Sequence, residues 1–494
     1  MQAMRIIQGG MGVGISHWKL ARAVSRLGQL GVVSGTALDQ VLARRLQSGD
    51  PGGHMRRALD HFPVPEYAEH VWHRYYVPGG KTTREAFLAV PMPEATPSDE
   101  WQALVVVANF VEVFLAREGH GHPVGINYLE KIQTPHLPSI YGAMLAGVDY
   151  VLMGAGIPMR IPGVLDRFAR HEAATYPLAV TGATPDDPVT LSFDPQAFLG
   201  RRLPPLTRPK FLAIIASDVL AQTLARKANG RVDGFIVEGP TAGGHNAPPR
   251  GALQLNDRGE PVYGPRDVVN LEKLRALGLP FWLAGGSGSA DGLRAAVAQG
   301  AEGVQVGTAF AMCADSGLRP DLRQALMKKV LDGEATVLTN AVASPTGFPF
   351  KVASLDDTLS DAAIGKARPR VCDLGYLREA YKTPSGEVDF RCPAEPVNVF
   401  VSKGGRVDQT AGRACICNAL MATTGLAQVR AGKWIEPPII TMGDDLTGIA
   451  RFLAPGATEY SAADVVTALT AGLAPDDTVP QLLGSGAGAR SSGG

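Results

Sequence analysis

Short apolar, β-branched runs alternate with amphipathic stretches along most of the chain, the pattern of parallel strands buried on both faces with helices between them. The runs predict strands at about 5–8, 31–34, 124–128, 149–153, 211–215, 234–238, 281–284 and 303–307. Apolar positions at helical spacing mark the covering helices. Leu20, Val24 and Leu27 share one face behind Ser16, and Leu293 and Val297 share another behind Ser289, each serine placed as an N-cap. Gly147, Gly230 and Gly300 each close a helix before the next strand, where glycine supplies the left-handed C-cap conformation. Eight such units predict an α/β fold closed into a TIM (β/α)8 barrel; an open doubly wound sheet has the same local signals.

Two stretches interrupt the repeat. Residues 39–123 hold a basic helix, a Pro-rich segment at 91–97 and a long helix near 98–118, and are expected to be an insertion after strand 2. A second insertion covers about 176–209, where Pro185-Asp-Asp-Pro188 has the composition of a turn between two short strands. The division expected is a barrel over 1–335, a loop-rich C-terminal module over 336–483 with four of the five cysteines, and a Gly/Ser/Ala-rich disordered tail over 484–494.

Charge changes the picture by exclusion. Lys+Arg and Asp+Glu each total 47 in 494 residues, so no long-range field draws nucleic acid or an anionic membrane. No run reaches the ~18 apolar residues of a membrane span, and the first strand starts too near Met1 to leave room for a signal peptide. A cytoplasmic protein is expected, and its five cysteines point to thiols or metal ligation rather than a disulfide scaffold.

The residues with chemistry fall at the C-terminal ends of the strands, where a barrel keeps its site. Gly285, Gly286, Ser287 and Gly288 follow one strand and Gly307 and Thr308 the next, a pairing suited to phosphate because glycine lets backbone N–H groups approach closely. Gln8, Gly9, Gly10, Met11 and Gly12 end the first strand, where a flat ring can lie against backbone, and Asn127 offers an amide to a ring edge. His245 stands after Glu238, Gly243 and Gly244, with space around it and an intrinsic pKa suited to proton abstraction. A histidine is more often structural than catalytic, and each glycine turn has a plain loop as its alternative.

In this order and spacing, Gln8 to Gly12, Gly125 to Asn127, Glu238 to His245, Ala284 to Gly288 and Gly303 to Thr308 resemble the nitronate monooxygenase family. That family was formerly called the 2-nitropropane dioxygenases, and the flavin-dependent enoyl-acyl-carrier-protein reductases are related to it. The resemblance covers about 5–350 and includes Ser344-Pro-Thr-Gly347 as the loop after the barrel. It implies a TIM barrel holding non-covalent FMN on the residues just named, with His245 as base. The implied reaction oxidises alkyl nitronates or nitroalkanes with O2 to a carbonyl compound and nitrite. Thr241 departs from the pattern, standing where many relatives have an acidic residue, and the 39–123 insertion is larger than usual.

The alternative reaction is enoyl-thioester reduction with NAD(P)H and FMN. The insertion would then dock an acyl carrier protein through Arg56, Arg57, Arg74 and Lys81. A third alternative is a non-catalytic flavin-binding partner protein. A homodimer is compatible with each, and nothing in the sequence selects it.

Several constellations lie outside this scheme. Cys372, Cys392, Cys415 and Cys417 supply enough thiolates for zinc or an iron–sulfur cluster, but lack Cys-x-x-Cys knuckles, and packed reduced thiols are the alternative. Cys313 is expected in the core, on a helix after the last strand. Glu66, Glu69, His70 and His73 share a helical face that could gather metal ligands, though a packed amphipathic helix is preferred; His120 and His122 flank a glycine, where metal binding and a plain loop are equally good readings. Lys131, just past Asn127, either reaches the site or faces solvent.

Overall fold

The computed structural model describes residues 4–472, so the tail expected over 484–494 lies outside the described residues. Eight barrel strands run Ile6–Gln8, Gly31–Ser34, Val124–Leu129, Tyr150–Gly154, Lys210–Ile215, Gly234–Glu238, Phe281–Ala284 and Gly303–Val306. Every neighbouring pair is parallel. The first strand pairs with the eighth, and a bridge between Ile7 and Leu30 joins it to the second. Backbone bonds of 2.9 Å from Gln8 N to Leu30 O and 3.0 Å from Leu30 N to Ile6 O complete the closure.

The apolar runs form strands because both of their faces are buried. Ile7, Val32, Leu152, Leu212, Ile236 and Trp282 fill the barrel interior, each worth roughly 1.5–3 kcal/mol of burial. The alternate residues face outward into one large cluster shared with the surrounding helices. The helix Asp99–Arg117 begins at Ser98, whose Oγ accepts from Trp101 N at 3.2 Å, and packs on Trp18–Arg26, Leu38–Gln47 and His136–Leu145. Near the second insertion, Ala174–Pro177 and Thr190–Phe193 pair antiparallel across the 185–188 turn.

Local expectations fail in three places. The first helix is capped by His17, because Ser16 Oγ is already committed to Gly9 O at 2.8 Å and to Met11 N at 2.9 Å. Gly147 and Gly300 have the left-handed backbone, but Gly230 does not; a Cβ there would meet Gly163 N at 2.8 Å, so close packing is its requirement. Cys313 is fully buried as expected, but it lies just beyond the helix Thr308–Ala311, in a bend.

After the barrel, strands Val337–Asn340 and Phe350–Ala353 pair, as do Glu379–Lys382 and Val388–Arg391, and helices Ile416–Thr423 and Ala462–Thr470 follow. This segment is held by a buried cluster in which Glu436 accepts from Arg368 at 2.9 Å and from Arg430 at 2.8 Å. Among the described residues no group of three or more His, Cys, Asp and Glu side chains is placed to hold a metal ion. That corrects the metal expectation for Cys372, Cys392, Cys415 and Cys417: they line one small cavity as free thiols, with burial and mutual contact in place of a chelating geometry. No helix of the described residues is long and apolar enough to cross a membrane.

Candidate active site

At the C-terminal mouth of the barrel, loops from all eight strand ends enclose a cavity of about 200 Å³. Gly9, Gly10, Met11 and Gly12 line it from the first strand, Asn127 from the third, and Glu238, Gly243, Gly244 and His245 from the sixth. Gly285, Gly286, Ser287, Gly288, Gly307 and Thr308 line it from the seventh and eighth. Gln8 is the exception. Its fully buried side chain donates to Ser16 Oγ at 2.8 Å and accepts from Val32 N at 3.1 Å, so it ties the first strand to the second and does not face the cavity.

The walls are shaped for a flat, polar-edged ring. A Cβ on Gly10 would come within 2.4 Å of the Asn127 Cβ, so only glycine lets this loop lie so close to the amide. Two buried side-chain oxygens in the cavity, Asn127 Oδ1 and Gln305 Oε1, have no hydrogen-bond partner. Buried acceptors are seldom left unmet, so a ligand with N–H donors fits between them. Gly285 has φ +90°, and a Cβ there would sit 2.9 Å from Thr241 Oγ1 and 3.0 Å from Ala242 N, which keeps the backbone of this turn bare. The helix Ala290–Ala298 follows, capped by Ser289, so the turn suits a phosphate end as well.

The C-terminal segment supplies the roof. Gly443 N donates to Thr308 Oγ1 at 2.9 Å, Asp444 N to Thr241 O at 3.0 Å, and Gly244 N to Thr441 Oγ1 at 2.9 Å. Lys351, almost wholly buried, bonds Asp444 and Thr339 at 2.7 Å each. Asp445 lies beside Gly288, and Arg451 donates to Gly288 O at 2.6 Å, which sets a cation next to that carboxylate. Tyr376 and Cys417 also reach the cavity, and Tyr376 donates to the buried Asp39. These contributions were not legible in the sequence; the one signal was Ser344-Pro-Thr-Gly347, a post-barrel loop that does return to the site.

His245 Nε2 is 2.7 Å from Ser344 Oγ, and the ring lies against Phe350. Nδ1 has no partner among the described residues, which leaves it for whatever enters the cavity. Burial first, and then the positive charge of Lys131, hold the imidazole well below its ordinary pKa, so it is neutral near pH 7. Burial pushes Glu238 up to about 7, opposed by Lys131. Burial likewise lowers Lys131 to about 7, opposed by Glu238. His245 and Glu238 line the cavity and Lys131 acts on both by its charge, and groups with displaced proton affinities at one cavity are what acid–base chemistry requires.

The side constellations fall elsewhere. Arg56 pairs with Asp60 and Glu69, Arg57 with Glu118, and Arg74 with Glu100, so the arginines proposed to meet an acidic carrier are neutralised within the chain. Lys81 bonds Glu85 O at 2.8 Å and covers the Phe87 ring. His70 and His73 meet Glu100 and Glu69, and His120 Nε2 meets Ala116 O.

Residues 208–346 match the nitronate monooxygenase family, a segment that includes the last four barrel strands and His245. Over 120 residues the chain is 35% identical to a nitronate monooxygenase of Pseudomonas aeruginosa, covering 24% of this chain and 32% of that protein. Over 141 residues it is 33% identical to the (3aS,4S,5R,7aS)-5-hydroxy-7a-methyl-1-oxo-octahydro-1H-indene-4-carboxyl-CoA dehydrogenase of Mycobacterium tuberculosis, covering 28% of this chain and 35% of that one. Among solved structures, nitroalkane oxidase from Streptomyces ansochromogenes is 17% identical with a TM-score of 0.43, covering 94% of each chain. FabK from Thermotoga maritima is 16% identical with a TM-score of 0.44, covering 94% of this chain and 91% of that one. The chain thus spans about a third of the length of the curated relatives it matches.

Proposed function

We propose that this chain, whose residues 208–346 carry the nitronate monooxygenase match, is an FMN-dependent oxidoreductase that converts alkyl nitronates and nitroalkanes, with O2, to carbonyl compounds and nitrite. One juxtaposition supports this above all. A neutral imidazole with a free Nδ1 faces the same cavity as two unpartnered amide oxygens and a bare glycine turn. The amide oxygens of Asn127 and Gln305 would accept from the flavin ring edge, and the 285–288 turn with Gly307 would hold its phosphate. When bound, the flavin supplies the electron acceptor for a carbanion-like substrate.

The chain's own residues do the rest. His245 takes the proton alpha to a nitro group at Nδ1; burial lowers its basicity, and the acidity that the nitro group lends the carbon offsets this. The roof from Thr441 to Asp445 excludes water and fixes the approach.

The test is an anaerobic visible-spectrum titration of the flavin-loaded protein with an alkyl nitronate, and in parallel with NADPH and NADH. Bleaching by the nitronate with the nicotinamides inert is the expected result. Rapid bleaching by a nicotinamide would transfer the assignment to enoyl-thioester reduction, and a protein that retains no flavin would overturn both.

A further inference from the structure

The His245 side chain begins a line of hydrogen-bonding groups that the reaction above does not explain. Its Nε2 lies 2.7 Å from Ser344 Oγ, Ser344 Oγ lies 2.8 Å from Thr346 Oγ1, and Lys131 Nζ lies 3.4 Å from the same Thr346 oxygen. Ser344 is fully buried and Thr346 half-buried, so the first hydroxyl of the line is shut off from solvent. Lys131 stands over the Phe348 ring at 4.1 Å, which fixes the ammonium at the end of the line. Glu238 lies beyond it, and Glu238 also lines a second cavity of about 210 Å³ together with Arg250, Tyr263 and Asp267. The catalytic cavity and this side chamber therefore meet at Glu238.

We propose that His245, Ser344, Thr346 and Lys131 form a proton relay that carries the abstracted substrate proton out of the active-site cavity towards Glu238 and the side chamber. The inference rests on the reading of His245 as base. In the resting state Nε2 carries the hydrogen and donates to Ser344, which leaves the Nδ1 lone pair for substrate. The substrate C–H bond breaks, its electron pair stays on the substrate, and its proton goes to Nδ1. The Nε2 proton moves to Ser344 Oγ, the Ser344 proton to Thr346 Oγ1, and the Thr346 proton to the neutral amine of Lys131. The imidazole ends as the opposite neutral tautomer, and the net change is one proton moved from carbon to Lys131.

Burial makes this possible by holding Lys131 near 7, where an uncharged amine is populated, and by keeping imidazolium unfavourable next to it. Other titratable groups around the line are Tyr263, a neutral phenol that feels Asp267, Glu238 and Asp444, and Lys351, which is tied to Asp444. The relay gives Ser344 and Thr346 a role as positioning residues that act through His245.

The experiment compares the wild type with Thr346→Val and Thr346→Ser, using a neutral nitroalkane and its preformed nitronate as substrates. Removing the Thr346 hydroxyl should lower the ratio of nitroalkane to nitronate turnover at least ~10-fold, and serine should restore it. An unchanged ratio, with both rates falling together, would overturn the relay. A second readout needs no turnover: imidazole nitrogen NMR of histidine-labelled protein across pH 6–9. The His245 Nε2 signal should move as Lys131 titrates in the wild type and stay still in Thr346→Val. Identical titrations in both proteins would also overturn it. A wild type that oxidises neither nitro compound would instead sink the function proposed above, and the NMR comparison still judges the relay.

Discussion

Glu238→Gln should make the protein clearly more stable at pH 8 and change it much less at pH 5. In the folded protein Glu238 is raised from 4.5 to about 7, with burial as the leading cause, and it has no hydrogen-bonded partner. Between those two pH values the folded protein still binds a proton that the unfolded chain has released, so stability falls as pH rises through the window and is flat above it. A tenfold change in proton affinity is worth about 1.4 kcal/mol, so the ionised carboxylate costs roughly 3 kcal/mol above pH 7. The attraction of Lys131 is already contained in that figure. Glutamine keeps the shape and carries no charge. For a chain of this size the unfolding entropy is about 1 kcal/mol per degree, so the thermal midpoint should rise by about 3 °C at pH 8. The assay is calorimetry of wild type and variant at matched flavin content from pH 5 to pH 8. Equal midpoints at pH 8, or a gain of the same size at pH 5, would refute the burial argument.

Three further outcomes follow from geometry described above. Gly285→Ala puts a Cβ 2.9 Å from Thr241 Oγ1 at φ +90°, so equilibrium dialysis should show at least ~10-fold weaker FMN binding, with stability lower by about 1–3 kcal/mol in denaturant titration. Asn127→Leu removes an acceptor that no protein group pairs, so the apoprotein should melt no lower while FMN affinity drops by about 5- to 100-fold; a lower apoprotein midpoint would contradict the unpaired Oδ1. Glu436→Gln leaves the buried Arg368 with a weakened partner and should cost about 3–5 kcal/mol, whereas added chelator should leave the thermal midpoint unmoved, a result checked on the same instrument.

The strands were legible because each is a short apolar run ended by glycine or a polar residue, and the strands predicted match those observed within about one residue at either end. The glycine turns and His245 were legible because they sit at strand ends, a position that the period of the chain itself reveals. Ser16 and Gln8 were misread for one reason: they belong to a hydrogen-bonded knot joining Gly9, Met11 and Val32, and side-chain bonds that fold a loop back on itself or cross to the next strand follow no helix or strand period. The roof was hidden likewise. Thr441, Gly443 and Asp445 reach the site only through contacts with residues about 135 to 200 positions earlier. The cysteines misled because sequence proximity of thiols says nothing about the angles at which they point.

That roof also sets the order in which the molecule becomes competent. The barrel needs only residues up to Val306 to close its sheet, yet the cavity is sealed by backbone donors from 443 and 444. During synthesis all eight barrel strands therefore leave the ribosome well before the segment that roofs the cavity has emerged. Catalytic competence becomes a late event in the life of the chain, tied to docking of its last fifth and not to formation of the scaffold. A flavin caught in the unroofed cavity would remain exchangeable, and then become trapped when Gly443 reaches Thr308.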